Sequence, residues 1–388
     1  MIIKFSKRKI LIIHALVSIF IYCVFIYKQN ELINDQTPEI RYKTLQTASI
    51  EKNFQPEILF TGQQNSNYVT VVCAYFTFNK SKHGEKKYKQ WLDNFLKSVS
   101  APMVIYTDNL NKEFIFKFRE KLNLTTKIIV YNNIWQIMHE LEMKRGQKYI
   151  NNYLNVQNSE YNLLALNKLC FFFYYGFKIL DLDPEKSIHS PELYAIWNLK
   201  PYMVNKAAHE NQFKSEFFIY TDAGSFRQRS FVNWPKEEYV KNVHKQVNNR
   251  LVLGLVDNIK YHTNPLNDLI EGGFFAGSII SLSTFETNFY EIHDERLYKG
   301  LFIGKDQTIT NILGFEKHPN TITFLYSYKF SNFCSCSGDN WILYSILNYF
   351  RCTNNKWFFF IHYFYSEINC SVSRDSMIIN DFTNHKLI

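Results

Sequence analysis

An apolar run that stops on polar residues carries the clearest chemical signal in the sequence. Residues 217–220 are typical of a buried strand, and Asp222 follows them closely. Ligands of open α/β sheets bind at the carboxyl ends of strands, so this carboxylate lies where a divalent metal could hold a diphosphate. Gly224 keeps the loop small, and Arg227 adds a cation. An Asp that caps a turn or a helix is the alternative from these residues alone.

A second pair of carboxylates competes with Asp222 for the role of a metal ligand. Asp181 and Asp183 form a D-x-D pattern behind an apolar run. Asp183 precedes Pro184 and further polar residues, which is typical of a surface loop. We therefore keep the pair as a rival and favour a solvated turn at this place.

Two further stretches contain residues that a ligand site would use. Gly272 and Gly273 lie beside two aromatic residues, where they either let an acceptor approach closely or only relieve crowding in a strand. Asp306 and Gln307 open a predicted helix, and the carboxylate serves there either in a reaction or as a helix cap.

The predicted secondary structure alternates between strands and helices around these residues. Such alternation is typical of a mainly parallel sheet with flanking helices. Ser190 and Pro191 begin the helix that precedes Asp222, and Pro201 is predicted to break or kink it. The predicted strands are 69–76, 103–106, 127–131, 217–220 and 251–256; the predicted helices are 88–99, 113–122, a stretch within 134–153, 163–180, 190–209 and 304–313.

The N-terminus differs in composition from the rest of the chain. Four basic residues lie within the first nine positions, an uncharged run occupies 10–27, and acidic residues follow it. This pattern predicts an uncleaved signal anchor with a cytoplasmic N-terminus, which is a type II single-pass arrangement; a cleaved signal peptide is the alternative. The predicted organisation is a cytoplasmic tail at 1–9, a transmembrane anchor at 10–27, a stem at 28–67, a catalytic domain at 68–330 and a Cys- and aromatic-rich extension at 331–388.

Charge and cysteine content narrow the class of protein. The formal net charge is +9, but the dense basic cluster at 80–89 lies partly on an amphipathic helix without a recognition motif, so we predict no nucleic-acid partner. The seven cysteines are compatible with an oxidising compartment, in which all but Cys23 would be lumenal. Cys334 and Cys336 lack the second ligand pair that a zinc site needs.

Several separated motifs resemble the HtrL/YibB family. They are PELYAIWNLKPYMVNKAA at 191–208, FFIYTDAGSFR at 217–227, EGGFFAG at 271–277 and GKDQTITN at 304–311. That family is grouped with nucleotide-sugar-dependent glycosyltransferases of the GT-A type, and its bacterial members are associated with lipopolysaccharide biosynthesis. The resemblance therefore implies a GT-A-like (Rossmann-like) fold and transfer of a sugar from a nucleotide-sugar donor to a glycan, lipid or protein acceptor.

The resemblance also implies roles for single residues. Asp222 resembles the acidic residue at the D-x-D position of GT-A enzymes, which implies a Mn²⁺ or Mg²⁺ ion, although Tyr220 and Gly224 leave one carboxylate there. Asp306 and Gln307 resemble the pair that glycogenin-type transferases place beside the reacting sugar, so they are the predicted catalytic residues. The predicted substrate-binding residues are Asn198, Lys200, Arg227, Gly272 and Gly273.

Together these observations predict a membrane-anchored glycosyltransferase of the secretory pathway, in the Golgi, with an α/β fold built on a mixed, mainly parallel sheet. Two other classes stay open. The single carboxylate also fits a lumenal binding or scaffold protein without catalysis. The same site acting on a nucleotide sugar would alternatively serve a hydrolase or a phosphotransferase.

Overall fold

The computed structural model describes residues 54–63, 66–78, 83–147, 149–150, 189–227, 230–255, 269–326 and 378–379. The chain divides into two compact units, Met1–Phe54 and Gln55–Ile388, and every described residue except Phe54 belongs to the second. The predicted anchor, the Asp181–Asp183 pair, the predicted helix at 163–180 and most of the extension lie outside the described residues. No helix within the described ranges is long and apolar enough to cross a membrane.

Strands and helices alternate along the described chain, as the sequence pattern predicts. The strands are β1 Glu57–Thr61, β2 Val69–Tyr75, β3 Met103–Asp108, β4 Thr126–Tyr131, β5 Phe217–Thr221, β6 Leu251–Leu255, β7 Ile270–Gly277, β8 Ile322–Tyr326 and β9 Ile378–Ile379. The α-helices are α1 Glu85–Ser98, α2 Lys112–Lys121, α3 Ile134–Arg145, α4 Pro191–Glu210, α5 Glu237–Val247, α6 Ile279–Tyr298 and α7 Asp306–Ile312. A π-helical segment, Leu313–Lys317, and a 3₁₀ turn, Pro319–Thr321, connect α7 to β8.

The strands form one mixed sheet in the order β1-β4-β3-β2-β5-β7-β6-β8-β9. β4, β3, β2 and β5 are parallel neighbours, and β6 and β8 are parallel to each other. β7 runs antiparallel to both β5 and β6, so β6 and β8 point in the same direction as the first group. β1 and β9 pair antiparallel at the two edges. The predicted mixed, mainly parallel sheet is confirmed.

The strand order reverses beside β2. The chain adds β3 and then β4 on one side of β2, and returns to place β5 on the other side. In open α/β sheets such a reversal leaves a crevice at the carboxyl ends of the two strands, and ligands bind there. β2 ends at Tyr75 and β5 at Thr221, so the fold places the segment that begins with Asp222 at this crevice.

A buried arginine ties the end of α1 to β4. Arg119 of α2 is fully buried, and its guanidinium donates to the carbonyls of Leu96 and Val99 and to Thr126 Oγ1. Burial lowers the pKa of Arg119 to about 9. Because a guanidinium carries five donors, one side chain satisfies several backbone carbonyls where a helix ends.

Helix α4 differs from its prediction at Pro201. Ser190 Oγ accepts from Leu193 N at 3.3 Å and Pro191 stands in the first turn, as predicted. Of the break or kink predicted at Pro201, the break is wrong, because the helix continues to Glu210. A proline inside a helix costs about 3 kcal/mol. The long run of buried side chains on both sides of Pro201 offsets that cost.

The sheet begins within the range predicted as a stem. β1 pairs with β4 from Glu57↔Val130 to Thr61↔Thr126. Its short sequence, EILFT, leaves Ile58 and Phe60 exposed. The edge of the sheet is therefore covered by residues that precede the predicted domain boundary at 68.

Candidate functional site

Asp222 lies at the end of β5 and extends that strand's pairing by one step. Its N–H donates to Gly273 O at 3.0 Å, and its own carbonyl accepts from Ser225 N at 3.0 Å, which closes a tight turn. The side chain is 36% exposed, and Oδ1 accepts from Tyr220 Oη at 3.1 Å. A carboxylate with one face open to solvent therefore stands at the crevice, where the sequence predicted it.

Lys200 reaches the same place from the middle of α4. Its Nζ lies 3.2 Å from Asp222 Oδ2, 2.9 Å from Asp306 Oδ2 and 2.8 Å from Gly272 O. The side chain is 3% exposed. Burial lowers the pKa of Lys200, but the carboxylates of Asp222 and Asp306 outweigh it, so the pKa is raised and the ammonium stays charged.

The two predicted catalytic residues begin α7. Asp306 Oδ1 accepts from Gln307 N at 3.0 Å, while Gln307 Nε2 donates to Ile270 O at 2.8 Å. Burial raises the pKa of Asp306, and the opposing effect of Lys200 does not cancel that increase. The structure therefore joins α7 to β7 and brings the Asp306 carboxylate to the same ammonium as Asp222.

The two glycines of β7 lie in close contact with neighbouring side chains. A Cβ on Gly272 would lie 2.8 Å from Gln307 Cγ. A Cβ on Gly273 would lie 3.0 Å from Glu271 Oε1, 3.1 Å from Ser225 Oγ and 3.2 Å from Asp222 Oδ2. These close neighbours are side chains of the protein itself, so the described contacts agree with relief of crowding, and the approach of an acceptor to these glycines stays a prediction.

The sequence analysis missed Glu271 as a site residue. The residue is 5% exposed, and its Oε1 accepts from Gly273 N at 3.0 Å. Burial raises the pKa of Glu271 to about 8, so most of the carboxyl is protonated at neutral pH. The available signal was an acid inside an otherwise apolar and small-residue strand, which is unusual unless the acid has a partner.

Arg227 and Asn198 occupy different positions from the central group. Arg227 is exposed, and its guanidinium lies 4.9 Å from the ring of Trp91 on α1. Asn198 is completely buried, and its Nδ2 donates to the carbonyls of Ile303 and Gly304 at 3.0 and 2.9 Å. Arg227 therefore lies at the rim of the crevice. Asn198 holds the backbone before α7 and does not reach the open face.

Aromatic side chains line the rim beside Arg227. Tyr88 and His83 contact the ring of Trp91 edge-on, with centroids 5.2 and 5.0 Å away. Burial raises the pKa of Tyr88, with a smaller contribution from the Asp222 charge, so this rim lies close to the carboxylate. Aromatic faces next to a guanidinium can bind a sugar ring or a nucleobase.

The described part of the chain contains no complete set of protein ligands for the predicted Mn²⁺ or Mg²⁺ ion. No three His, Cys, Asp or Glu side chains are grouped there to hold a metal ion. Lys200 Nζ stands between the two carboxylates that such an ion would bridge, and Asp222 Oδ1 already accepts from Tyr220. Among the residues that the structure describes, this arrangement does not fit a divalent metal resident between Asp222 and Asp306.

Fold and site together define a mixed α/β protein with a cluster of two aspartates and one lysine at the carboxyl end of its central strand. The chain belongs to the HtrL/YibB family: residues 67–335 match the family described as "Bacterial protein of unknown function (HtrL_YibB)". The family predicted from the motifs is confirmed. No protein among the curated sequences matches this chain.

Two solved structures of enzymes align with part of this chain. Mouse xyloside xylosyltransferase 1, in its apo form, aligns at 10% identity with a TM-score of 0.38, over 66% of this chain and 84% of its own. The 4-diphosphocytidyl-2C-methyl-D-erythritol synthase of Anaerococcus prevotii DSM 20548 aligns at 10% identity with a TM-score of 0.28, over 67% and 86%.

Proposed function

We propose that this protein is a glycosyltransferase that moves a sugar from a nucleotide-sugar donor to a glycan, lipid or protein acceptor. The observation that carries the proposal is the meeting of Asp222, Asp306 and Lys200 at the crevice beside the strand-order reversal. This is the place where α/β sheets bind nucleotides. The motifs shared with the HtrL/YibB family support the same reaction class.

The charges of the site suit a diphosphate leaving group. Lys200 offsets one of the two aspartate charges, and Arg227 adds a second cation at the rim. Glu271, with a pKa of about 8, is mostly neutral at pH 7. Formal charges at the crevice therefore nearly cancel, so a diphosphate can approach the open face without strong repulsion.

In the proposed reaction, the bond between the anomeric carbon and the diphosphate oxygen breaks, and the acceptor hydroxyl oxygen bonds to that carbon. The bonding electrons leave with the diphosphate, which Arg227 stabilises. The hydroxyl proton passes to Asp222, whose side chain is 36% exposed, compared with 11% for Asp306. Asp306 and Gln307 position the sugar.

Thermal shift assays of the full-length chain with a panel of nucleotide sugars and nucleotide diphosphates test this proposal. A ligand at a hundred times its dissociation constant stabilises by about 2.7 kcal/mol, so the true donor gives a clear shift. Product assays with that donor then compare wild type with Asp222→Asn, for which kcat/KM falls by about 10²- to 10⁴-fold. Asp93→Asn, which removes an exposed carboxylate paired with Lys97, is the matched control.

Two outcomes would favour the other classes. All three protons of the Lys200 ammonium have acceptors within the protein, which also suits a non-catalytic binding protein. Donor binding without turnover in any acceptor mixture would support that class. Release of free sugar or phosphate without an acceptor would identify a hydrolase or phosphotransferase.

The cellular setting is part of the proposal. The basic tail and the uncharged run at 10–27 support a type II anchor that places the rest of the chain in the lumen of the Golgi or another secretory membrane. Protease treatment of sealed microsomes tests this topology. Protection of the part after residue 28 is expected, and its digestion without detergent would refute the arrangement.

A further inference from the structure

The position between the two aspartates of the site is filled by a positive charge that belongs to the protein. Lys200 Nζ contacts Asp222 Oδ2, Asp306 Oδ2 and Gly272 O at 2.8 to 3.2 Å. An ammonium group has three N–H donors, and each has an acceptor here. The three acceptors are hard oxygen atoms, which are also the ligands that Mg²⁺ and Mn²⁺ prefer.

A divalent ion and this ammonium exclude each other. A metal ion shared by the two carboxylates would sit about 2.0–2.2 Å from its oxygen ligands, inside the volume that Nζ occupies. A divalent ion and the Lys200 ammonium held by the same oxygen atoms would also repel each other strongly, because the site is closed to solvent on the lysine side. Lys200 projects from the middle of α4 and is buried, so its ammonium cannot reach water while the helix stays packed.

We propose that the Lys200 ammonium takes the place of the divalent cation, so that this protein binds its nucleotide-sugar donor without a metal ion. The inference rests on the proposed function for the identity of the donor. The contacts of the Lys200 ammonium, by contrast, do not depend on which ligand the protein binds. The ammonium offsets one of the two aspartate charges and holds the ends of β5, β7 and α7 together, as a cation shared by the two carboxylates would.

Removing the ammonium should create a metal site. In Lys200→Ala the two carboxylates and the Gly272 carbonyl remain around an emptied volume, and Mn²⁺ can enter it with water ligands. Electron paramagnetic resonance of free Mn²⁺ measures this binding directly on the full-length chain at pH 7.5, without a nucleotide. We expect wild type to show no stoichiometric Mn²⁺ binding. Lys200→Ala should bind Mn²⁺ at least about tenfold more tightly than wild type.

Two further variants keep the test decisive. Lys200→Ser leaves the same volume open with a small polar side chain and serves if Lys200→Ala does not fold. Lys206→Met is the matched control, because Lys206 lies on the same helix but pairs with Glu140 at 2.6 Å, away from the site. The control should bind Mn²⁺ no better than wild type.

The donor provides an independent second measurement. Once the nucleotide panel has identified a ligand, its affinity for wild type should change by less than about twofold between excess EDTA and millimolar Mn²⁺. Stoichiometric Mn²⁺ binding by wild type, a donor that needs metal, or no gain of Mn²⁺ binding in either Lys200 variant would overturn the inference. Failure of every nucleotide to bind would refute the proposed function, while the Mn²⁺ titration would still decide between ammonium and metal.

Discussion

Lys200 and Asp306 form an ion pair of 2.9 Å in which both side chains are nearly buried, 3% and 11% exposed. Such a pair is costly to break, because the remaining charge stays in a region of low polarity. In this protein the pair also connects the middle of α4 to the first residue of α7. The stability of the fold and the geometry of the site therefore depend on the same contact.

Replacing Asp306 by Asn should destabilise the protein as well as the site. Lys200 would keep Asp222 and Gly272 as acceptors but lose a charged one, so we expect the free energy of unfolding to fall by about 3 kcal/mol. Urea denaturation of wild type and Asp306→Asn measures this change in the free energy of unfolding. Asp93→Asn, whose ion pair with Lys97 is exposed, should change stability by less than about 1 kcal/mol. Equal effects of the two variants would contradict this account of the buried pair.

The pH dependence of stability should depend on Glu271. Burial raises its pKa to about 8 in the folded protein, from a usual value of 4.5. Between these values the folded state binds more protons than the unfolded state, so stability is highest below the lower pKa and is lost as pH rises towards 8. We expect wild type to lose about 3 kcal/mol more than Glu271→Gln between pH 5 and pH 8.

Urea denaturation of both proteins at several pH values measures this difference, in which contributions from other groups largely cancel. Parallel stability curves for wild type and Glu271→Gln would show that Glu271 titrates normally.

Gly272→Ala should disturb Gln307. The new Cβ would lie 2.8 Å from Gln307 Cγ, so the side chain must move and give up its hydrogen bond to Ile270 O. We expect a loss of about 1 kcal/mol in stability and a lower nucleotide-induced thermal shift. Gly84→Ala is the control, because its Cβ would meet nothing within 4 Å and its φ is −66°. An unchanged thermal shift in Gly272→Ala would remove Gln307 from the ligand site.

Arg119→Met should be among the more destabilising single changes outside the site. The substitution leaves the carbonyls of Leu96 and Val99 buried without their guanidinium donor, which should cost about 3 kcal/mol. Lys117→Met on the same helix removes an exposed charge and should change stability by less than about 0.5 kcal/mol. Thermal and urea unfolding compare the two variants.

A fragment that begins at Tyr68 should be less stable than one that begins at Gln55. The shorter fragment lacks β1, so one edge of β4 is left with unpaired backbone groups that favour aggregation. Light scattering and unfolding of the two purified fragments measure the effect. Identical behaviour would show that β1 contributes little to the sheet.

The sequence predicted the elements whose patterns are strong. β2, β5 and α1 have apolar runs or helical spacing that local reading detects, and Asp222 was found because it ends such a run. β1 was missed because EILFT is short and lies in a polar stretch. α5 and α6 were not predicted, although Ser278 caps the second of them through Ser281 N.

The contacts of the site were harder to predict than its residues. The sequence analysis assigned Lys200 to substrate binding because its helix motif resembles that of the HtrL/YibB family, and local sequence gives no information on its partners in the fold. In the continuous helix the lysine lies in the interior, and its partners come from β5, β7 and α7. Glu271 and Asn198 show the same limit, since burial and partners at long sequence separation decide what a polar side chain does.

The position of β5 has a consequence for the order in which the protein is completed. β5 joins the strands made earlier, through β2, to those made later, through β7. Lys200 precedes that junction in the chain and Asp222 directly follows it, whereas Gly272 and Asp306 come from the later part. During synthesis the lysine is therefore made before all three of its acceptors, and two of them come only with the later strands and helices. The site is finished only when the second half of the sheet docks, so an incompletely docked chain also lacks the machinery to bind its ligand.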